Sequence, residues 1–174
     1  VTLRAQLSAA DNRFSRRVSD IADRNRTLRK AAIVLAHSGD SPLWVGGLLL
    51  ALWLGSASWK FAAMVVLIGI GVTAAVVQSI KVFVRRPRPA GEWGQGYRKI
   101  DPHSFPSGHA ARAALLAALA VFLGPPVWAA LALVWAPLVA LSRVAMRVHY
   151  LSDVLAGALC GLVCAAALGA IFSF

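Results

Sequence analysis

Between residues 43 and 84 the chain carries only two charged side chains, Lys60 and Lys81. A soluble fold of 174 residues has too little interior to hide so long an apolar stretch. A bilayer hides it readily, and the stretch is long enough for two membrane-crossing helices of about 20 residues each. Asp40-Ser41-Pro42 offers the first helix a cap and a first-turn proline, and Gly55-Ser56-Ala57-Ser58 marks the turn before Trp59 and Lys60. The apolar pattern resumes over residues 110–123, breaks at Gly124-Pro125-Pro126, and continues over about 127–145 and 150–172. The expected fold is therefore all-α, a polytopic membrane helical bundle of five transmembrane helices. With 59% hydrophobic residues and a mean hydropathy of +0.68, the composition agrees. Gly157 and Gly161 form a GxxxG pair, expected to serve close helix contact inside the bundle. Cys160 and Cys164, four apart in an apolar run, read as small hydrophobes rather than metal ligands or a disulfide.

Residues 1–41 differ from the rest. Eight cations fall in the first thirty positions: Arg4, Arg13, Arg16, Arg17, Arg24, Arg26, Arg29 and Lys30. Leu3, Leu7, Ala10, Phe14, Val18, Ile21 and Leu28 recur at steps of three, four or seven, which makes one helical stripe. Two readings fit: an amphipathic helix lying in the membrane interface on anionic lipid headgroups, or a solvated helix capping the bundle. The chain thus divides into an N-terminal basic arm, 1–41, and a transmembrane domain, 42–174. The first eleven residues lack an apolar core of the kind a cleavable signal peptide needs. Lys and Arg outnumber Asp and Glu 18 to 7, a net charge of +11. Beside apolar runs of this length, that balance points to lipid headgroups or a phosphorylated substrate and away from nucleic acid. Residues 85–105, rich in Gly and Pro and holding Trp93 and Tyr97, read as an interfacial loop.

Threading five spans back and forth brings one membrane face together. The second span ends near Lys81, the third begins near Ser107, the fourth ends near Arg143 and the fifth begins near His149. Strong polar groups crowd that face, while the other has Lys60 and little else. A charge at the bilayer centre costs roughly 2.5–3.5 kcal/mol on insertion scales, so such a cluster needs a reason. Interfacial anchoring accounts for Arg85, Arg86 and Arg147. It accounts poorly for His149 and Asp153, because a carboxylate is a poor anchor. These two stand four apart at a helix start and share one face, so Asp153 can fix the tautomer of His149 and leave the other ring nitrogen nucleophilic. His109 is a second imidazole, suited to protonating a leaving alkoxide. Ser107 can cap the helix it opens, Gly108 lets a ligand approach the backbone, and the unsatisfied N–H groups favour an anion. Lys81, Arg88 and Arg143 add three cations suited to a phosphate dianion. Carboxylates are too few for a metal site, and neither metal nor cofactor is expected.

Lys81-(six residues)-Arg88-Pro89, Pro106-Ser107-Gly108-His109 and Ser142-Arg143-(five residues)-His149-(three residues)-Asp153 resemble the three-part signature of the type 2 phosphatidic acid phosphatase (PAP2) superfamily. The resemblance runs from about Lys81 to Asp153 and has no departure at the motif positions. It implies a metal-independent membrane phosphatase in which His149 forms a phosphohistidine, oriented by Asp153. His109 would protonate the leaving group and then activate water. Lys81, Arg88, Ser107, Gly108 and Arg143 would cradle the phosphate. Members commonly have six membrane helices against the five expected here, with the basic arm in place of the first.

Cations outside the motifs (the arm, Arg85, Arg86, Arg98 and Lys99) lie on the catalytic face, so the positive-inside rule puts that face in the cytoplasm of a multi-pass cell-membrane protein. The Ala- and Arg-rich composition and the segment 105–112 further resemble the actinobacterial decaprenylphosphoryl-5-phosphoribose phosphatases, which implies a polyprenyl-phosphate-linked sugar phosphate as substrate. The alternatives are a phosphatidate, phosphatidylglycerophosphate or undecaprenyl-diphosphate phosphatase, a phosphotransferase to a second lipid, or a transporter or scaffold without catalysis.

Overall fold

A computed structural model describes residues 3–91, 99 and 101–174 of the chain. Among them the helices are α1 (Leu3–Arg24), α2 (Arg26–Ser38), α3 (Ser41–Leu54), α4 (Ala57–Val84), α5 (Gly108–Leu123), α6 (Pro126–Ala145) and α7 (Leu151–Phe172). The expected loop aromatics Trp93 and Tyr97, like Arg98, lie outside the described residues.

The bundle is apolar outside and polar inside at one end. Leu50, Trp53, Phe83, Phe122, Leu131 and Ile171 are exposed, whereas Lys81, Arg88, Arg143, His149 and Asp153 are buried. Only a hydrocarbon solvent makes that arrangement favourable. By length and composition α4, α6 and α7 can each cross a membrane. α2 and α3, bent by 47° at their junction, can cross together as a fourth. The expected count of five is larger because it treats α5 as a full span. With 16 residues, α5 rises only about 24 Å, short of a hydrocarbon core of about 30 Å.

α5 is instead the central post, flanked by α4, α6 and α7. Leu115, Leu116 and Leu119 form the main core with Val65 and Ile70 of α4 and Cys164, Ala165 and Leu168 of α7. The GxxxG pair does what its spacing suggests. A Cβ on Gly161 would lie 2.0 Å from the Ala111 carbonyl oxygen, and one on Gly157 would lie 2.3 Å from that of Ser107. α7 therefore lies directly on the α5 backbone, and the contact continues upward to a hydrogen bond from the Ser107 N–H to the Asp153 carbonyl, 2.9 Å.

The arm is two helices, because the Asn25 side chain accepts from the N–H groups of Thr27 and Leu28 and restarts the helix there. α1 turns its polar edge to the bundle, with Ser15, Ser19 and Ala22 buried, and leaves Leu7, Phe14 and Ile21 exposed. α2 packs Ala32 and Ala36 on Met146 and Val148. Arg147 binds α1 through Asp20 and Asp23 at 2.6 and 3.1 Å, which makes it a dock for the arm rather than a lipid anchor.

Gly161→Ala should lower the thermal unfolding midpoint in detergent micelles, with a cost of about 1–3 kcal/mol for overpacking against backbone. Gly71→Ala, where an added Cβ meets nothing within 4 Å, should leave the midpoint unchanged or raised.

Candidate active site

Four helix ends, of α4, α5, α6 and α7, meet on one side of the bundle. Lys81 is buried in the last turn of α4. Arg85 turns the chain with φ of 50°, and the following segment is held by the Ser104 N–H on the Arg86 carbonyl, 2.8 Å. That return places the Arg88 guanidinium inside. Its Nε donates to the Asp101 carbonyl at 2.8 Å, Nη2 to Asp101 Oδ2 at 2.9 Å and Nη1 to the Val148 carbonyl at 2.9 Å. Lys81 Nζ donates to the same Asp101 oxygen. One carboxylate thus bridges two buried cations.

Arg88 Nη1 also lies 3.1 Å from His149 Nε2. A guanidinium offers only donors, so Nε2 is the acceptor and the proton of the neutral ring is on Nδ1. Nδ1 faces Asp153 Oδ2 at 3.6 Å, beyond a good hydrogen bond but close enough for the carboxylate to select that tautomer. Burial, followed by the nearby charges of Arg88 and Arg143, outweighs the pull of Asp153 and lowers the His149 pKa from 6.5 to about 4. Nε2 therefore stays unprotonated at neutral pH, with its lone pair directed at Arg88.

Asp153 is fully buried and both its oxygens are engaged. Oδ2 accepts the Tyr150 N–H at 2.9 Å, and Oδ1 accepts Arg86 Nη1 at 2.7 Å. Arg86 in turn binds Asp11 of α1 at 2.8 Å and lies 4.0 Å from the centre of the Tyr150 ring. Arg86 is thus a clamp on the buried aspartate and not the interfacial anchor its sequence position suggests. Ser107 caps α5, its hydroxyl accepting the Ala110 N–H at 3.4 Å. In front of Gly108 an added Cβ would meet only Val77, at 3.8 Å, so its backbone faces open space. Arg143, buried at the end of α6, receives the N–H groups of Val148 and His149 on its carbonyl and acts electrostatically on both imidazoles.

His109 has a partner of its own. Its Nε2 lies 2.8 Å from Asp40 Oδ1, and the other oxygen of Asp40 lies 2.9 Å from His37 Nδ1. Asp40, expected to cap α3, makes no side-chain cap bond there. All eight expected site residues thus lie at this end of the bundle, while Asp11, Asp40, Arg86 and Asp101 join them unforeseen. Their partners within the site lie 13 to 75 residues away in sequence, so no helical spacing reveals them. The one available signal was scarcity, since the few acids of a strongly cationic chain are needed wherever cations are buried.

Two spaces adjoin the site. A groove of about 150 Å³ between α4 and α5 is lined by Lys81, Gly108, Arg112, Val77, Thr73 and Ile70. A cavity of about 390 Å³ between α1 and the 146–150 turn is lined by polar groups including Asn12, Ser15, Arg16 and His149.

Among solved structures, the chain resembles the transmembrane PAP2 type phosphatidylglycerolphosphate phosphatase of Bacillus subtilis at 26% identity and a TM-score of 0.74, covering 99% of this chain and 88% of that one. It also shares its fold with LpxE of Aquifex aeolicus, at 23% identity and a TM-score of 0.73, covering 90% and 92%. The profile of the PAP2 superfamily matches residues 62–173, well over half the chain and all three motif segments, and the protein belongs to that superfamily.

Proposed function

We propose that the protein is a membrane lipid phosphatase that hydrolyses a phosphomonoester through a phosphohistidine at His149. The observation that carries this reading is the contact of Arg88 with His149 Nε2, which fixes the nucleophilic lone pair against a buried cation cluster. The substrate phosphate takes the place of the Asp101 carboxylate between Lys81 and Arg88, with Arg143 and the N–H groups at the start of α5 on its remaining oxygens. As the Arg88 guanidinium turns its N–H from His149 to the phosphate, the freed Nε2 attacks phosphorus, and the bond to the leaving oxygen breaks with its electron pair on that oxygen, which takes a proton from His109. Neutral His109 then accepts a proton from water as the water oxygen attacks the phosphohistidine. The N–P bond breaks, its electrons return to His149, and inorganic phosphate leaves. Three cations provide the charge that a metal ion would otherwise supply, which supports a metal-independent reaction.

The groove beside Lys81 supports a lipid substrate, because its lining passes from cation to apolar α4 side chains at helical spacing. The polar cavity beside His149 favours a large polar headgroup, in keeping with a polyprenyl-linked sugar phosphate of the decaprenylphosphoryl-5-phosphoribose type. A second reading, phosphatidylglycerophosphate, is favoured by the likeness to the Bacillus subtilis phosphatase. Phosphate release from a panel of both substrate types, in EDTA, decides between them. We further propose that α1 lies in the interface, its exposed Leu7, Phe14 and Ile21 in the leaflet and its arginines on anionic headgroups, with α5 completing a five-span bundle.

His149→Ala should reduce turnover by at least about 10³-fold with the fold intact. With substrate ionisation corrected for, wild-type kcat/KM should show no loss between pH 7 and pH 5 and should fall only as pH drops through about 4, where Nε2 gains a proton. An acidic limb near 6.5 contradicts the buried, cation-flanked imidazole.

The catalytic face is proposed to be cytoplasmic. In a background without Cys160 and Cys164, a cysteine at Ser58 should react with an impermeant thiol reagent in intact cells and one at Ala90 should not. The reverse pattern moves the site outside and favours undecaprenyl diphosphate as substrate.

A further inference from the structure

Asp40 occupies the N-cap position of α3, where an aspartate ordinarily accepts the helix's first N–H groups. Here its carboxylate turns away from α3 and holds His109 Nε2 at 2.8 Å. The corner that carries it is fixed from several directions. Arg112 donates to the Gly39 carbonyl from Nε at 2.9 Å and to the Ser41 hydroxyl from Nη1 at 2.6 Å. Trp135 Nε1 donates to the Ser38 hydroxyl and Trp44 Nε1 to the Ser38 carbonyl, each at 2.9 Å. Gly39 fits closely: an added Cβ would lie 2.9 Å from Val139 and 3.4 Å from the His109 ring. Three side chains and a buried glycine thus pin the helix corner that carries Asp40 toward α5.

The chemistry follows from which nitrogen is engaged. Asp40 accepts from Nε2, which keeps a proton there and leaves Nδ1 as the atom that gains and loses one. The Asp40 carboxylate, 2.8 Å from Nε2, supplies negative charge on the side of the ring away from Nδ1 and so favours the charged form. We propose that Asp40 is the positioning residue of the acid–base histidine, so that the site holds two Asp–His pairs: Asp153 with the nucleophile His149, and Asp40 with His109. Asp40 itself takes no proton. It holds the Nε2–H and stabilises the imidazolium, whose Nδ1–H passes to the leaving oxygen. Neutral Nδ1 then receives a proton from water. The bend between α2 and α3 thereby belongs to the catalytic apparatus.

This inference rests on the acid–base role proposed for His109, and the test separates the two. Asp40→Asn, Asp40→Glu and His109→Ala are assayed in detergent against an alkyl phosphate lipid and an aryl phosphate whose phenolate leaves without protonation. The ratio of the two kcat/KM values reads the leaving-group step, before water attack, and does not depend on how much of a sample is folded. Asp40→Asn should lower the alkyl rate by about 10²-fold and the aryl rate by less than about tenfold, in the manner of His109→Ala. Asp40→Glu should recover part of the alkyl rate, and it is read in place of Asp40→Asn if that variant is inactive on both esters. If His109→Ala shifts the ratio and the Asp40 variants do not, Asp40 only shapes the corner and the inference is overturned. If His109→Ala leaves the ratio unchanged, the acid–base role of His109 fails and the inference fails with it.

Discussion

The backbones of α5 and α7 touch at Gly157 and Gly161, with no side chain between them. That distance fixes the rest of the site. It lets the Ser107 N–H reach the Asp153 carbonyl, so the anion-attracting start of α5 and the His149–Asp153 pair at the start of α7 come together at one height. A methyl group at either glycine would meet the α5 backbone and push the two helix starts apart. The geometry of the proposed site and the packing of α5 on α7 are here the same constraint.

Electrostatics supplies the second layer. Burying cations such as Lys81, Arg88 and Arg143 near a bilayer is costly unless opposite charge accompanies them. The chain has 18 cations and only 7 acids. Each of its six aspartates contacts a basic side chain: Asp11 and Asp153 on Arg86, Asp20 and Asp23 on Arg147, Asp40 on His109 and His37, and Asp101 on Lys81 and Arg88. Asp101 is the informative case. It lies between two buried cations and compensates their charge within the fold, so the proposed substrate phosphate would exchange one anion for another. Asp11 and Arg86 carry the same logic outward, tying the N-terminal helix to the buried Asp153.

Much of this was legible in the sequence. Helix ends at residues 54, 84, 123, 145 and 172 follow from where apolar runs stop, and Lys81, Arg88, Ser107, His149 and Asp153 follow from spacings that only a shared membrane face explains. What stayed hidden depends on contacts distant in sequence. Asp40 reads as a cap because it precedes Ser41-Pro42, and nothing nearby tells of an imidazole 69 residues later. Arg86 reads as an anchor because it follows an apolar helix, although its partners lie on α1 and α7. Periodicity detects the stripe of α1 but not its direction: Leu7, Phe14 and Ile21 face outward and the polar edge holds the bundle. α5, at 16 residues, is shorter than the span expected of it, and length and composition alone give three to four spans among the described helices.

The covalent step is the central claim and can be read directly. Protein mixed with a phosphorylated lipid substrate, quenched within one turnover in alkali and digested, should yield a peptide containing His149 that carries one phosphoryl group on the imidazole, labile to acid. The adduct should build up in the His109→Ala variant if water attack is slowed more than its formation, and it should be absent in His149→Ala. Steady release of phosphate with no adduct on His149 at any quench time, or an adduct on another residue, would contradict the account.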